Sequence, residues 1–155
     1  MNCCDVDNYL INQEKKKTKL FVFSEKGSLF LNSNDSILPL MEYKGNFSRK
    51  ARGGYSNPFL SDNGKFVVCQ YRNGSTLNSK TDICLIDVEK YQSTKLIEQD
   101  SYFKPQLSDD MKFLLLAKNS IIDKDGERKD EVSLYDISSN YALDIAVSNN
   151  YIFIK

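Results

Sequence analysis

Apolar residues in this chain come in short runs divided by polar, turn-rich stretches, and one arrangement of runs is written twice. Residues 58–65 read Pro-Phe-Leu-Ser-Asp-Asn-Gly-Lys, and 47 positions on residues 105–112 read Pro-Gln-Leu-Ser-Asp-Asp-Met-Lys. Each is followed by a continuous apolar run, Phe66-Val67-Val68-Cys69 in the first copy and Phe113-Leu114-Leu115-Leu116 in the second. A polar loop leads from there to Asp82–Asp87 or, 49 positions on, to Glu131–Asp136. A weaker strand, Ser93–Ile97 or Tyr141–Ala146, closes each unit. The pattern predicts an all-β chain built of antiparallel four-stranded meander repeats, with helix scarce and at most one turn of it at Val88–Tyr91. A strand apolar at consecutive positions is buried on both faces of its sheet, so the sheets are expected to stack. Phe66, Val68, Leu85, Phe113, Leu115 and Leu134 are the predicted core.

The turn between the first and second strands has a chemical rationale. Asp and Asn side chains bond the local backbone, and Gly64 takes a positive φ without steric cost. Met111 stands at the equivalent place in the second copy, where a different turn is expected.

These residues resemble the TolB-type propeller repeat, shared by the propellers of prolyl-oligopeptidase-like peptidases, whose core pattern is Pro-x-Trp-Ser-Pro-Asp-Gly-Lys. Pro58, Ser61, Gly64 and Lys65 match in the first copy, with Leu60, Asp62 and Asn63 replacing the tryptophan, proline and aspartate. Pro105, Ser108, Asp110 and Lys112 match in the second, with Leu107, Asp109 and Met111 replacing the tryptophan, proline and glycine. The resemblance spans about residues 57–146. It implies an incomplete or degenerate β-propeller-like fold and leaves function open, because one fold hosts many activities.

A single domain over residues 1–155 is expected. Residues 1–42 form a degenerate N-terminal blade with strands at Tyr9–Asn12, Lys19–Phe23 and Ser28–Leu31, Lys15–Lys17 as a hairpin loop and a turn at Glu25–Gly27. Residues 43–56 form a basic connecting loop, 57–97 and 104–146 the two repeats, and 147–155 a C-terminal strand. Propellers have four to eight blades, so about three blades imply an open stack, a sandwich-like distortion, closure by oligomerisation or a piece of a longer protein.

Charge adds little globally, with 21 basic and 21 acidic side chains, but it is unevenly spread. Residues 98–144 hold eleven acids against six bases. The N-terminus lacks the basic and apolar regions of an export signal, which predicts a cytosolic protein whose four cysteines are thiols.

The chain has no histidine, which removes Ser-His-Asp and Cys-His catalysis and histidine-ligated metals. No catalytic residue, metal or cofactor is predicted. Asp123-Lys124-Asp125-Gly126-Glu127 offers alternating carboxylates beside a glycine, as a calcium loop does, but lacks the downstream bidentate glutamate and reads as a hairpin loop. Lys44, Arg49, Lys50 and Arg52, interleaved with Tyr43, Phe47 and Tyr55, form the segment best suited to an anion or nucleic acid. The neutral net charge weighs against nucleic acid as the partner. Acidic loops complement a basic partner and speed its association. Asp123, Asp125, Glu127, Asp130 and Glu131, with Tyr135 as a central aromatic, are the candidate partner-binding residues. The expected function is non-catalytic protein binding, most specifically an immunity-type inhibitor that neutralises a bacterial toxin such as a nuclease. The alternatives are a scaffold or sensor module that binds a peptide or subunit and, more weakly, an RNA-binding protein.

Overall fold

A computed structural model describes residues 20–47, 53–74, 81–100 and 102–148. The strand expected at Tyr9–Asn12, the loop at Lys15–Lys17, the pair Cys3 and Cys4, and the C-terminal strand beyond Ser148 lie outside them. Eleven strands and no helix are described, in three antiparallel meanders. The first sheet is β1 (Phe21–Glu25), β2 (Ser28–Ser33) and β3 (Ser36–Met41). The second comprises β4 (Gly54–Leu60), β5 (Phe66–Arg72), β6 (Thr81–Asp87) and β7 (Gln92–Asp100). The third comprises β8 (Phe103–Leu107), β9 (Phe113–Ile122), β10 (Arg128–Asp136) and β11 (Tyr141–Ser148). Strand β3 has no counterpart among the strands expected from the sequence, and Val88–Tyr91 is a hydrogen-bonded turn capped by the Asp87 carboxylate, not a turn of helix.

The continuous apolar runs bury both faces of the second sheet. Side chains alternate across a strand, so Val67, Cys69, Cys84 and Ile86 pack against Leu29 and Leu40 of the first sheet. Val68 and Ile83 point the other way, into a cluster with Leu107, Leu114, Leu116 and Tyr135 of the third. Of the six predicted core residues, Val68 and Leu115 are buried, whereas Phe66, Leu85, Phe113 and Leu134 are half-buried. Their neighbours Val67, Ile86, Leu114 and Leu116 are fully enclosed, because consecutive apolar positions supply two cores at once.

The two repeat turns have the same hydrogen bonds. The Ser61 N–H donates to the Phe66 carbonyl (2.8 Å), and that of Ser108 to Phe113 (2.9 Å). The Ser61 hydroxyl donates to Asn63 Oδ1 and accepts from the Phe66 N–H, as that of Ser108 does with Asp110 and the Phe113 N–H. Met111 adopts φ 60° where Gly64 has 71°, so the expectation of a different turn is corrected. The serine and its Asx partner fix the backbone so fully that methionine accepts the left-handed conformation.

First and second sheets meet at two glycines. The Tyr55 N–H donates to the Gly27 carbonyl (2.8 Å), and Gly27 and Gly54 both have positive φ, at 83° and 93°. The Tyr43 ring lies over this crossing, and its backbone N–H donates to Ser28 Oγ (3.0 Å).

Cys69 and Cys84 are free, buried and directly opposed across β5 and β6. Burial pushes both thiols up, which lowers the thiolate fraction on which alkylation depends. Iodoacetamide at neutral pH is expected to spare both in the folded protein and to modify both in denaturant. Peptide mapping of the alkylated chain checks this, and rapid native labelling of Cys69 would contradict the packing.

Candidate functional site

The third sheet departs from the second in the hairpin joining its central strands. β9 and β10 run to ten and nine residues, whereas β5 and β6 have seven each. The extra ladder pairs Asp130 with Ser120, Lys129 with Ile121 and Arg128 with Ile122, after an irregularity between Asp130 and Val132. It carries the loop Asp123–Glu127 to the hairpin tip.

That loop is organised by Asp123. Its Oδ1 accepts the N–H groups of Asp125 and Glu127 (2.9 Å each), the Asp123 and Glu127 backbones pair at 2.9 Å, and Gly126 takes the positive φ of the turn. The Lys129 ammonium pairs with the other Asp123 oxygen. The Lys129 hydrogen bond, helped by the Glu127 N–H, holds the Asp123 carboxyl below its ordinary range, and the same bond raises Lys129.

The six candidate partner-binding residues therefore fall into two groups. Asp123, Asp125 and Glu127 gather at the tip, and Glu131 lies on the flank of the hairpin, accepting from the Asn119 amide (2.6 Å). Asp130 and Tyr135 are inside. Asp130 is 4% exposed and accepts from Ser120 Oγ (2.6 Å) and Lys104 Nζ (2.9 Å). Tyr135 belongs to the core between second and third sheets, its hydroxyl 2.8 Å from Asn140 Oδ1 and 3.3 Å from the Leu96 carbonyl, and burial raises its phenol. Two residues that the charge pattern does not mark complete the tip, Ile121 and Ile122, the latter 76% exposed. Their signal in the sequence is an apolar pair running past the length of the equivalent strand in the first repeat.

Of the basic segment, Lys44 is described, and Arg49, Lys50 and Arg52 lie outside the described residues. Lys44 borders an open depression of about 420 Å³ with Tyr43, Tyr55 and Tyr71 on its walls. The Tyr55 and Tyr71 rings lie 4.7 Å apart and Tyr71 meets Tyr43 edge-on. Burial pushes the Tyr55 phenol up to about 12 and raises Tyr71 as well, so both present O–H groups at physiological pH.

A polar strip crosses between second and third sheets. Asn57 and Lys104, 47 residues apart and each preceding a proline, both sit at φ 48° beside a break in the strand ladder. Gln70 accepts from the Asn57 amide and donates to the Tyr102 carbonyl (3.3 Å), which also accepts from Thr81 (3.1 Å). Lys104 continues the strip to Asp130. Burial alone would raise Asp130, but Ser120 and Lys104 outweigh it and its carboxyl lies below the ordinary range. A depressed carboxyl stabilises the fold above its unfolded pKa, about 3.9, and that contribution is lost as pH falls through the lower folded value. Asp130→Asn is therefore expected to lose about 1–3 kcal/mol at pH 7 and to flatten the acid limb of the stability profile, checked by urea unfolding at neutral and acidic pH.

Among the described residues, no group of three or more Cys, Asp or Glu is placed to hold a metal ion, and no helix is long and apolar enough to cross a membrane.

No protein-family model matches the chain, and no curated protein matches it by sequence. Solved structures do match in fold. A TolB of Agrobacterium tumefaciens superposes with a TM-score of 0.55 at 12% identity, over 82% of this chain and 42% of that one. An oligogalacturonate lyase in complex with manganese gives 0.53 at 11%, over 86% and 39%. An acylaminoacyl peptidase in complex with a chloromethyl ketone gives 0.51 at 11%, over 88% and 26%. The chain thus spans less than half the length of these structures. All are β-propeller proteins, and the likeness shows an incomplete propeller-like fold of three unclosed sheets.

Proposed function

We propose that the protein works by stoichiometric binding of another protein, with the tip of the β9–β10 hairpin as its recognition element. The observation that supports this is the exposure of Ile122 at a hairpin tip that carries Asp123, Asp125 and Glu127 alongside Lys124, Arg128 and Lys129, an apolar anchor in a charged setting. Apolar anchors of this kind set dissociation rates, whereas surrounding charges steer encounter and raise the association rate. The acidic surplus of residues 98–144, eleven acids against six bases, favours a basic partner. A nuclease fits that description, since its site must attract phosphate, and an immunity-type inhibitor of a nuclease toxin is the most specific form of the proposal.

Affinity capture from the native organism tests the site. The wild-type chain is expected to retain a basic protein that a variant carrying Ile122→Ser, Asp125→Lys and Glu127→Lys does not, with capture weakening as salt rises. Equal capture by both would remove the hairpin tip as the site. Deleting the gene tests the finer reading. Healthy growth of the deletion strain, alone and beside wild-type sister cells, would remove the immunity role.

A further inference from the structure

The second sheet carries a pair of side chains that the third does not. Cys69 on β5 and Cys84 on β6 are direct register partners, and both belong to the cluster facing the first sheet, so their side chains leave the strands on the same side. The ladder around them runs from Phe66 with Asp87 to Tyr71 with Asp82 without an irregularity. In the third sheet the same two positions, 47 and 49 residues on, hold Leu116 and Ser133, again paired and again fully buried. The architecture thus accepts a leucine and a serine here, and packing alone does not call for two cysteines.

The backbone geometry suits a bond between them. Directly opposed residues of an antiparallel pair have Cα atoms about 4.5–5.5 Å apart. Disulfides span Cα separations of about 4.4–6.8 Å, so a bridge forms here without moving either strand. Access is the other requirement, and it is one-sided. Cys69 is fully enclosed, whereas Cys84 is flanked by β7, an outer strand whose Ser93 and Lys95 are exposed. The β6–β7 ladder is irregular between Thr81 and Ile83 and again between Ile83 and Cys84. Local opening concentrates in such outer, interrupted strands. Burial raises the Cys84 thiol and the Ser93 hydroxyl pulls it back, whereas burial and Cys84 both raise Cys69. Cys84 is therefore the thiol that reacts first.

We propose that Cys69 and Cys84 form a reversible cross-strand disulfide in response to hydrogen peroxide, an oxidant close to water in size. Cys84 attacks one peroxide oxygen, the O–O bond breaks, and water leaves, giving a sulfenic acid on Cys84. The Cys69 sulfur then attacks the Cys84 sulfur, the S–O bond breaks, and a second water carries off the hydroxyl with the Cys69 thiol proton. The pair has lost two hydrogens and two electrons, and the peroxide has become two waters. The bridge joins the central strands of the sheet against which both neighbours pack and closes residues 69–84 into a loop.

Treating the folded full chain with hydrogen peroxide tests this, with Cys3→Ser and Cys4→Ser in place so that only these two thiols remain. Peptide mapping without reductant is expected to find the Cys69 and Cys84 peptides joined, and dithiothreitol is expected to separate them. The bridged protein is expected to melt roughly 5–10 °C higher, as closing a loop of this length predicts. Cys84→Ser, which installs the residue of the third sheet, is expected to keep the fold and to show no such rise. Two thiols left intact by the oxidant would overturn the proposal, as would a Cys84 driven to sulfinic acid while Cys69 stays a thiol, or peptides that join only in denaturant. A bridge that lowers the melting temperature would overturn it as well, since strands at the proper spacing need not move to form one.

Discussion

Gly54→Ala is expected to destabilise the protein by about 2–5 kcal/mol, a large share of what holds a domain of this size together. A Cβ at this position would lie 2.5 Å from the Gly27 carbonyl oxygen, 2.6 Å from Gly27 Cα and 2.7 Å from Tyr43 Cγ. Two of those three atoms are backbone of the opposing sheet and cannot rotate away. Strain adds to the clash, since φ is 93° and an L residue pays roughly 1–2 kcal/mol there. Gly126→Ala isolates the second effect, because φ is 81° but nothing lies within 4 Å of its Cβ. It is expected to cost about 1–2 kcal/mol, and urea denaturation of both variants separates clash from strain. Equal losses would show that the first and second sheets are not in contact at Gly27 and Gly54.

Leu116→Ala should remove a comparable amount, about 2–5 kcal/mol. Leu116 is fully buried in the cluster joining the second and third sheets, between Val68, Ile83 and Tyr135, and sheets stacked through a single layer cannot collapse into the space left behind. Leu115→Ala, on the other face of the same strand, leaves that inter-sheet layer intact. Thermal melting monitored by near-ultraviolet circular dichroism reads the first loss through the tyrosine environment, and a change below about 1 kcal/mol would contradict the packing.

The repeated turns and apolar runs make the second and third sheets legible from the amino-acid order alone, because short apolar strands between Asx-bearing turns leave few alternatives. The predicted core is displaced by one position at Phe66 and Phe113. A run buried on both faces gives no sign of which side is more enclosed. β3 escapes the pattern since Ser36–Met41 holds Pro39 and its outward residues are exposed, so it lacks a buried strand's signature. The candidate site is legible as charge but not as shape. Asp130 and Tyr135 read like surface residues, and only the crossing of Lys104 from β8 and the register of β10 put them inside. Ile122 is hidden for the opposite reason, since an isoleucine at the end of an apolar run is ordinarily core.

At the Asx position the two repeat turns differ in one atom that hydrogen bonding conceals. Asn63 accepts through an amide that never ionises, whereas Asp110 accepts through a carboxylate held below its usual range first by the Ser108 hydroxyl and then by the Lys112 N–H. Its contribution is present above the unfolded carboxyl pKa and disappears as pH drops through the lower folded value. Acidification therefore weakens the Asp110 turn and leaves its Asn63 twin as it is.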